Sequence, residues 1–273
     1  MLTIADRFAV ILAFSLIMVV AAFAQDARPN GQPAGADRFA EEQSRDRFAQ
    51  DRSSQDRFAQ ERSQSRFQSS DRRDGRNQPG QFDFYVLALS WSPSFCESSR
   101  ERNGGRSNLQ QCTSERPYSF VVHGLWPQYE RGFPRECQVP APRLSRNIVN
   151  TMLDIMPAPR LVFNQWDRHG TCSGMNGQQY FDTVRKARET VQIPAQFKDI
   201  EKYLAVAPGD VEKAFIEANP GLPAEGIAVT CDSRRLSEVR ICMSKELQFR
   251  DCPEIDRRSC RSDKVMMPPV RGG

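Results

Sequence analysis

This 273-residue chain has two histidines. His123 lies in Phe120-Val121-Val122-His123-Gly124-Leu125-Trp126-Pro127, and His169 in Phe163-Asn164-Gln165-Trp166-Asp167-Arg168-His169-Gly170-Thr171-Cys172. An imidazole titrates near neutrality, so two of them can divide one reaction. One takes a proton as general base and the other delivers one as general acid, each worth roughly 10²–10⁴-fold. On spacing alone, two unrelated hydrogen-bonded histidines fit as well.

The second segment reads as a helix. At about 100° per residue, Val162, Phe163 and Trp166 form an apolar face for docking on a core. Asn164, Gln165, Arg168 and His169 then point the other way, and Gly170 suits the turn that ends the helix. Phe82–Trp91 is rich in aromatic and aliphatic residues on both alternating faces, which predicts a central strand ended by Ser92-Pro93-Ser94. Residues 97–117 are polar and read as a loop holding Cys112. Tyr118–Val122 reads as a strand delivering His123 at its end, followed by an irregular Pro-rich stretch over 127–143. Helical spacing recurs over 145–156, stopping at Pro157, and over Gln178–Gln192, with Tyr180, Phe181 and Val184 inward. Asp210–Asn219 reads as a helix with Asp210 as its N-cap. Ile227–Cys231 and Glu238–Met243 read as strands of a hairpin, and Val265–Gly273 as a loose tail. Strands and helices that do not alternate regularly predict an α+β fold.

Met1–Ala24 has Arg7, an apolar run from about Phe8 to Val20, and Ala22-Phe23-Ala24, the pattern of a signal peptide cleaved before Gln25. An uncleaved anchor is the alternative. No later stretch is apolar enough to span a membrane. Residues 25–80 carry a near-repeat, Asp37-Arg38-Phe39-Ala40, Asp46-Arg47-Phe48-Ala49 and Asp56-Arg57-Phe58-Ala59, then Ser65-Arg66-Phe67. With one Phe per repeat, this segment cannot bury enough surface to offset its conformational entropy, and it reads as a disordered linker. The folded domain is expected over 81–264, with 265–273 as a flexible tail.

All eight cysteines fall between Cys96 and Cys260. An even count in an exported chain predicts disulfides, and the domain is then periplasmic or secreted. A zinc site of Cys231, Cys242, Cys252 and Cys260 is the alternative, but no CxxC pair is present. The formal charge of +4 is compatible with a polyanionic substrate and excludes little.

Taken together, the His123 segment, the Trp166-x-x-His169-Gly-Thr-Cys segment and the opening strand with Leu89-Ser-Trp-Ser-Pro-Ser-Phe-Cys96 resemble the ribonuclease T2 family over about 82–260. The resemblance implies a disulfide-stabilised single α+β domain with a central antiparallel sheet flanked by helices. It also implies cleavage of single-stranded RNA with low base specificity and without metal or cofactor. The 2′-hydroxyl would attack the adjacent phosphorus and leave a 2′,3′-cyclic phosphate. By motif position, His169 would take the 2′-hydroxyl proton and His123 would protonate the leaving 5′-oxygen. Arg168, where the family usually has Lys, would stabilise charge on the phosphorane, and Trp126 would help form a base pocket.

This chain departs from the pattern in places. The family's second segment usually begins His-Glu-Trp, and here it begins Asn164-Gln165-Trp166. Asn164 can donate to phosphate but carries no charge, and Gln165 cannot stabilise an imidazolium as a carboxylate would. Gln128 stands where many members have Asp, which bears on base preference. The expectation is an active but slowed enzyme. The resemblance suggests a Cys137–Cys172 bridge, and position in the chain suggests Cys96–Cys112, Cys231–Cys260 and Cys242–Cys252. A monomer with no membrane association after leader removal is expected.

Three rival readings follow from the residues, one of which makes the 25–80 segment the functional part and the folded domain its cargo. Gly170-Thr171-Cys172-Ser173-Gly174 fits a thiol version of the nucleophile elbow, but that fold needs a histidine after the nucleophile and none follows Cys172. A catalytically weakened or inactive member acting as an exported RNA-binding or signalling module is motivated by Asn164 and Gln165.

Overall fold

The computed structural model describes residues 77–105 and 109–271. The predicted leader over 1–24 and the repeats before residue 77 lie outside the described residues. A four-stranded antiparallel sheet organises the domain, in the order β2 (Phe120–Gln128), β1 (Phe84–Trp91), β5 (Leu236–Met243), β4 (Ile227–Cys231). The second and longest-range pairing, β1 with β5, is what makes β1 interior. Its side chains are buried on both faces, which explains the unbroken apolar run. Tyr85, Leu87, Leu89 and Trp91 enter the main core, while Phe84 and Val86 join a smaller cluster with Ala228, Cys242, Cys252 and Ile255. Each such aliphatic side chain contributes about 1.5–3 kcal/mol by leaving water.

Helices α3 (Arg146–Met152), α4 (Pro159–Arg168), α5 (Gly177–Thr190) and α6 (Pro208–Ala218) supply side chains to the main core. Helix α5 starts in a reciprocal capping box between Asn176 and Gln179, and buries Tyr180, Phe181 and Val184. Helix α3 is capped by Ser145 and ends sooner than its spacing suggests. In α6, Pro208 occupies the first turn and Ala207 the cap position, so Asp210 lies inside the helix rather than capping it. There its charge still complements the positive helix end.

Three further differences have identifiable causes. Ser92–Arg102 is a helix, α1, followed by the short α2 (Gln110–Thr113), where a loop was expected. Pro93 sits in the first turn, where a missing N–H costs nothing, and the buried face of α1 is Ser92, Ser94, Cys96 and Ser99. A serine-lined face leaves no apolar stripe to read. Strand β2 does not end before His123 but runs on to Gln128, because β1 pairs with it from Trp91 back to Phe84. Finally, Val265–Met267 is a strand, β6, rather than a loose tail. It pairs with β3 (Leu204–Val206), buries Val265 and Met267, and is followed by Pro268, whose carbonyl accepts from Trp91 Nε1 at 3.0 Å. A short helix, α7 (Pro253–Asp256), completes the elements. At the other end, residues assigned to the linker are packed, since Gly80 N–H donates to the Cys172 carbonyl at 2.9 Å.

Four disulfides join Cys96 to Cys112, Cys137 to Cys172, Cys231 to Cys260 and Cys242 to Cys252. The four cysteines of the zinc alternative are therefore consumed in two of them. No helix among the described residues is long and apolar enough to cross a membrane.

Candidate active site

The site begins with an irregularity in β2. Leu89 faces Val122 and Ala88 faces Gly124, so His123 has no partner of its own in the ladder. Such a bulge shifts the alternation by one residue and re-aims a side chain. Upstream of it, Val122 enters the main core. Downstream, Leu125 does so. The bulge therefore lets His123 share a sheet face with Val121 on one side and with Gly124 and Trp126 on the other. Two neighbouring strands supply the same face, because Ser90 pairs with Glu238 and Ala88 with Arg240.

His169 arrives from the far side. Helix α4 ends at Arg168, and His169 leaves the helical conformation while its N–H still donates to the Gln165 carbonyl at 3.0 Å. The buried side of α4 is Val162, Gln165 and Trp166, whereas Phe163 is 41% exposed. This corrects the face assignment made from spacing. Phe163 and Gln165 flank the line between Val162 and Trp166 symmetrically, each about 80° away, so helical spacing does not decide which of the two is buried. Gly170 also has a different task from ending the helix through unusual backbone angles. A Cβ there would lie 2.4 Å from Trp166 Cε3 and 2.9 Å from Tyr180 Cδ1, so only glycine lets the turn approach the core.

Trp126 joins the two histidine segments. Its ring centroid is 5.3 Å from that of His123 and 5.4 Å from that of His169. Its Nε1 donates to Gln165 Oε1 at 2.8 Å. Gly124 makes room for that bond, since a Cβ there would stand 2.0 Å from Gln165 Oε1. The carboxamide of Gln165 is thus an indole anchor, 4% exposed.

The two imidazoles have opposite surroundings. His123 Nδ1 is hydrogen-bonded to Glu238 Oε1, which also accepts from Ser90 Oγ at 3.2 Å. Glu238 Oε2 accepts two bonds from Arg240, at 2.9 and 3.1 Å. Burial alone would raise the Glu238 carboxyl, but the hydrogen bond and charge of His123, then Arg240, outweigh it and hold it at about 2. His169 has no such carboxylate. Its Nδ1 is buried without a protein hydrogen-bond partner. Burial first, then the positive charges of His123 and Arg168, lower it from 6.5 to about 4. It is therefore neutral, and able to accept a proton, across the mildly acidic to neutral range.

Cavities open on both sides. One, of about 270 Å³, is lined by Trp126, Gln128, Phe133 and His169. Four arginines, Arg135, Arg168, Arg240 and Arg258, also line it, and the Arg240 guanidinium lies 5.2 Å from the Trp126 ring centroid. Gln128 is buried there and donates to its neighbour's carbonyl, at Pro127, at 3.0 Å. The other cavity, of about 140 Å³, meets His123 and is mostly apolar, with Phe95, Leu109, Val121 and Leu161. Arg168 is exposed at the mouth of the first, and its backbone carbonyl accepts from Glu136 N–H at 2.9 Å, beside the Cys137–Cys172 bridge. Asn164 is exposed and lines neither cavity.

Of the residues singled out by sequence, the fold gathers His123, Trp126, Gln128, Gln165, Arg168 and His169, and leaves Asn164 outside. Sequence reasoning missed Glu238, Arg240, Phe133 and Arg135. A signal existed for the first two: in Leu236-Ser237-Glu238-Val239-Arg240-Ile241, charged residues alternate with buried aliphatic ones on a strand. Among the described residues, no group of three or more His, Cys, Asp or Glu is placed to hold a metal ion.

Comparison with known proteins gives a consistent result. The sequence profile of the ribonuclease T2 family matches residues 82–252. A ribonuclease of Aeromonas hydrophila is 31% identical over 175 residues, covering 63% of this chain and 76% of that protein. A probable ribonuclease of Haemophilus influenzae is 36% identical over 130 residues, covering 45% of this chain, which thus spans about half, 48%, of that relative. Among solved structures, the RNase-related protein from Calystegia sepium aligns with a TM-score of 0.55 at 21% identity, covering 70% of this chain and 98% of that one. RNase NT in complex with 5′-AMP aligns at 0.52 with 23% identity, covering 69% and 99%. These two likenesses concern the fold. With the profile match across more than half its length, the chain belongs to the ribonuclease T2 family of RNA-cleaving enzymes.

Proposed function

We propose that the domain is an endoribonuclease that cleaves single-stranded RNA by transphosphorylation, with His169 as general base and His123 as general acid. The observation that carries this reading is the packing of both imidazoles on one indole, between an arginine-lined cavity and an apolar one. A dinucleotide laid across Trp126 would put a base in each cavity and its phosphate beside the imidazoles. His169, neutral above about pH 4, takes the proton of the 2′-hydroxyl. The 2′-oxygen bonds to phosphorus, the bond from phosphorus to the 5′-oxygen breaks, and His123 supplies the proton that the departing oxygen needs. The product is a 2′,3′-cyclic phosphate and a 5′-hydroxyl.

Arg168, with Arg240 and Arg135 nearby, supplies positive charge for a phosphorane that gains negative charge on its oxygens. Trp126 and Phe133 offer rings for stacking. Stacking tolerates any base, which suits low base specificity. The 5′-AMP held by RNase NT, a protein of the same fold, fits a nucleotide at such a site. Four disulfides favour work in an oxidising compartment, outside the cytoplasm after leader removal.

The test uses the purified chain with its disulfides formed, single-stranded RNA and EDTA, beside His123→Ala and His169→Ala. Cyclic phosphate ends that form with the native protein and vanish in both variants support the reading. A folded native protein that binds RNA without cleaving it replaces the reading with that of an RNA-binding module.

A further inference from the structure

The carboxylate of Glu238 lies 115 residues from His123 in sequence and belongs to neither histidine segment. It is 8% exposed, yet all its oxygen valence is used: Oε1 by His123 Nδ1 and Ser90 Oγ, Oε2 by the two Arg240 nitrogens. A buried carboxylate is retained when its partners are charged donors in good geometry. Here the partners are a fixed guanidinium and an imidazole that opens onto the apolar cavity. An acceptor that holds three other donor atoms, from Ser90 and Arg240, at its remaining positions cannot rotate away, so it dictates which ring nitrogen of His123 carries a fixed proton.

We propose that Glu238 is the positioning residue of His123: it holds the Nδ1 proton, orients the ring on the sheet face, and leaves Nε2 to carry the proton transferred to the leaving oxygen. Arg240 is its counterpart, because its two donations to Oε2, with Ser90 on Oε1, keep Glu238 from turning while the same guanidinium walls the Trp126 cavity. Gln165, bonded to Trp126, has no part in this. The inference rests on the acid role of His123 proposed above, and it assigns the negative charge at the site to the sheet rather than to α4.

The measurement is leaving-group dependence. Native chain, Glu238→Gln and His123→Ala are assayed on a dinucleotide, whose 5′-alkoxide leaves only with a proton, and on a nucleoside 3′-(4-nitrophenyl phosphate), whose phenolate leaves without one. Glu238→Gln keeps the shape but must offer its amide N–H to either Arg240 or Nδ1. One choice opposes two donors and the other selects the wrong tautomer. The expected result is a loss of about 10²-fold or more in kcat on the dinucleotide, with KM nearly constant, and a small loss on the nitrophenyl ester. Equal losses on both substrates, or no loss on the dinucleotide, overturn the positioning role. If His123→Ala itself fails to discriminate between the substrates, the acid assignment of His123 is what falls. Ring ¹⁵N spectra of the native protein decide the tautomer separately and require no variant: a neutral His123 protonated at Nδ1 is expected, and one protonated at Nε2 overturns the proposal.

Discussion

Restoring a carboxylate on α4, Gln165→Glu, probes the electrostatics of His169 directly. Residues i and i+4 on a helix are about 5–6 Å apart at their Cβ atoms. Two unit charges about 6 Å apart at an effective dielectric of about 20 attract by about 3 kcal/mol, equivalent to about two pK units. Burial of the new carboxyl would reduce its ionised fraction, so a rise of about one to two units is expected at His169, from about 4 toward about 5–6. In the proposed mechanism His169 must be neutral to act as the base. The acidic limb of the pH profile of kcat/KM should therefore move up by the same amount. Above that limb, a stronger base should work faster, and a Brønsted coefficient of about one half turns two units into about a tenfold gain. The geometry permits the exchange, because either side chain can accept from Trp126 Nε1. The assay is cyclic phosphate formation from a dinucleotide at fixed ionic strength between about pH 3 and 8. An acidic limb that stays in place would refute the argument, since it would mean that His169 is not the group titrating there.

The pKa of His169 also sets a stability trend. Unfolding lets this imidazole take up a proton that the native site resists, so the native state should lose about 3 kcal/mol as pH falls from about 6.5 to about 4. Urea melts of the native chain and His169→Gln across that window should converge in slope above it and differ within it. Gly170→Ala should destabilise by about 1–3 kcal/mol through its contacts with Trp166 and Tyr180, read as a lower urea midpoint at unchanged m. Gly124→Ala should instead act on function: its Cβ displaces Gln165 Oε1 and Trp126 Nε1, so dinucleotide KM should rise well before the melt shifts by a comparable energy. Replacing Cys137 and Cys172 together by Ala should cost about 2–5 kcal/mol and weaken RNA binding, because that bridge fixes the loop bonded to Arg168.

The parts of this molecule that could be read in advance are those whose information is local. His123 with Trp126, and His169 with Gln165 and Arg168, are each packed into one short stretch, and β1 declares itself by being apolar on both faces. The unread parts depend on pairing across the chain. Helix α1 was hidden because the surface it packs with is serine. The tail residues Val265 and Met267 read as loose because their partner strand is only three residues long and lies some sixty residues earlier. The reversal of Phe163 and Gln165 has another cause: hydrophobicity alone favours burying the phenyl ring, whereas the indole N–H of Trp126 creates a specific need for a buried acceptor at 165.

The same logic accounts for the negative charge at the site. A histidine acting as acid benefits from an acceptor at its far nitrogen, and nothing in chemistry requires that acceptor to come from the neighbouring motif. The bulge at His123 moves its ring onto the face that already carries Ser90, Glu238 and Arg240, so the sheet register alone delivers a carboxylate to Nδ1. With that position filled from β5, residue 165 is free to be neutral and to serve Trp126 instead. Two adjacent imidazoles then have different surroundings: Nδ1 of His123 meets a buried carboxylate, whereas Nδ1 of His169 is buried without a partner, and burial, with the charges of His123 and Arg168, holds His169 near 4.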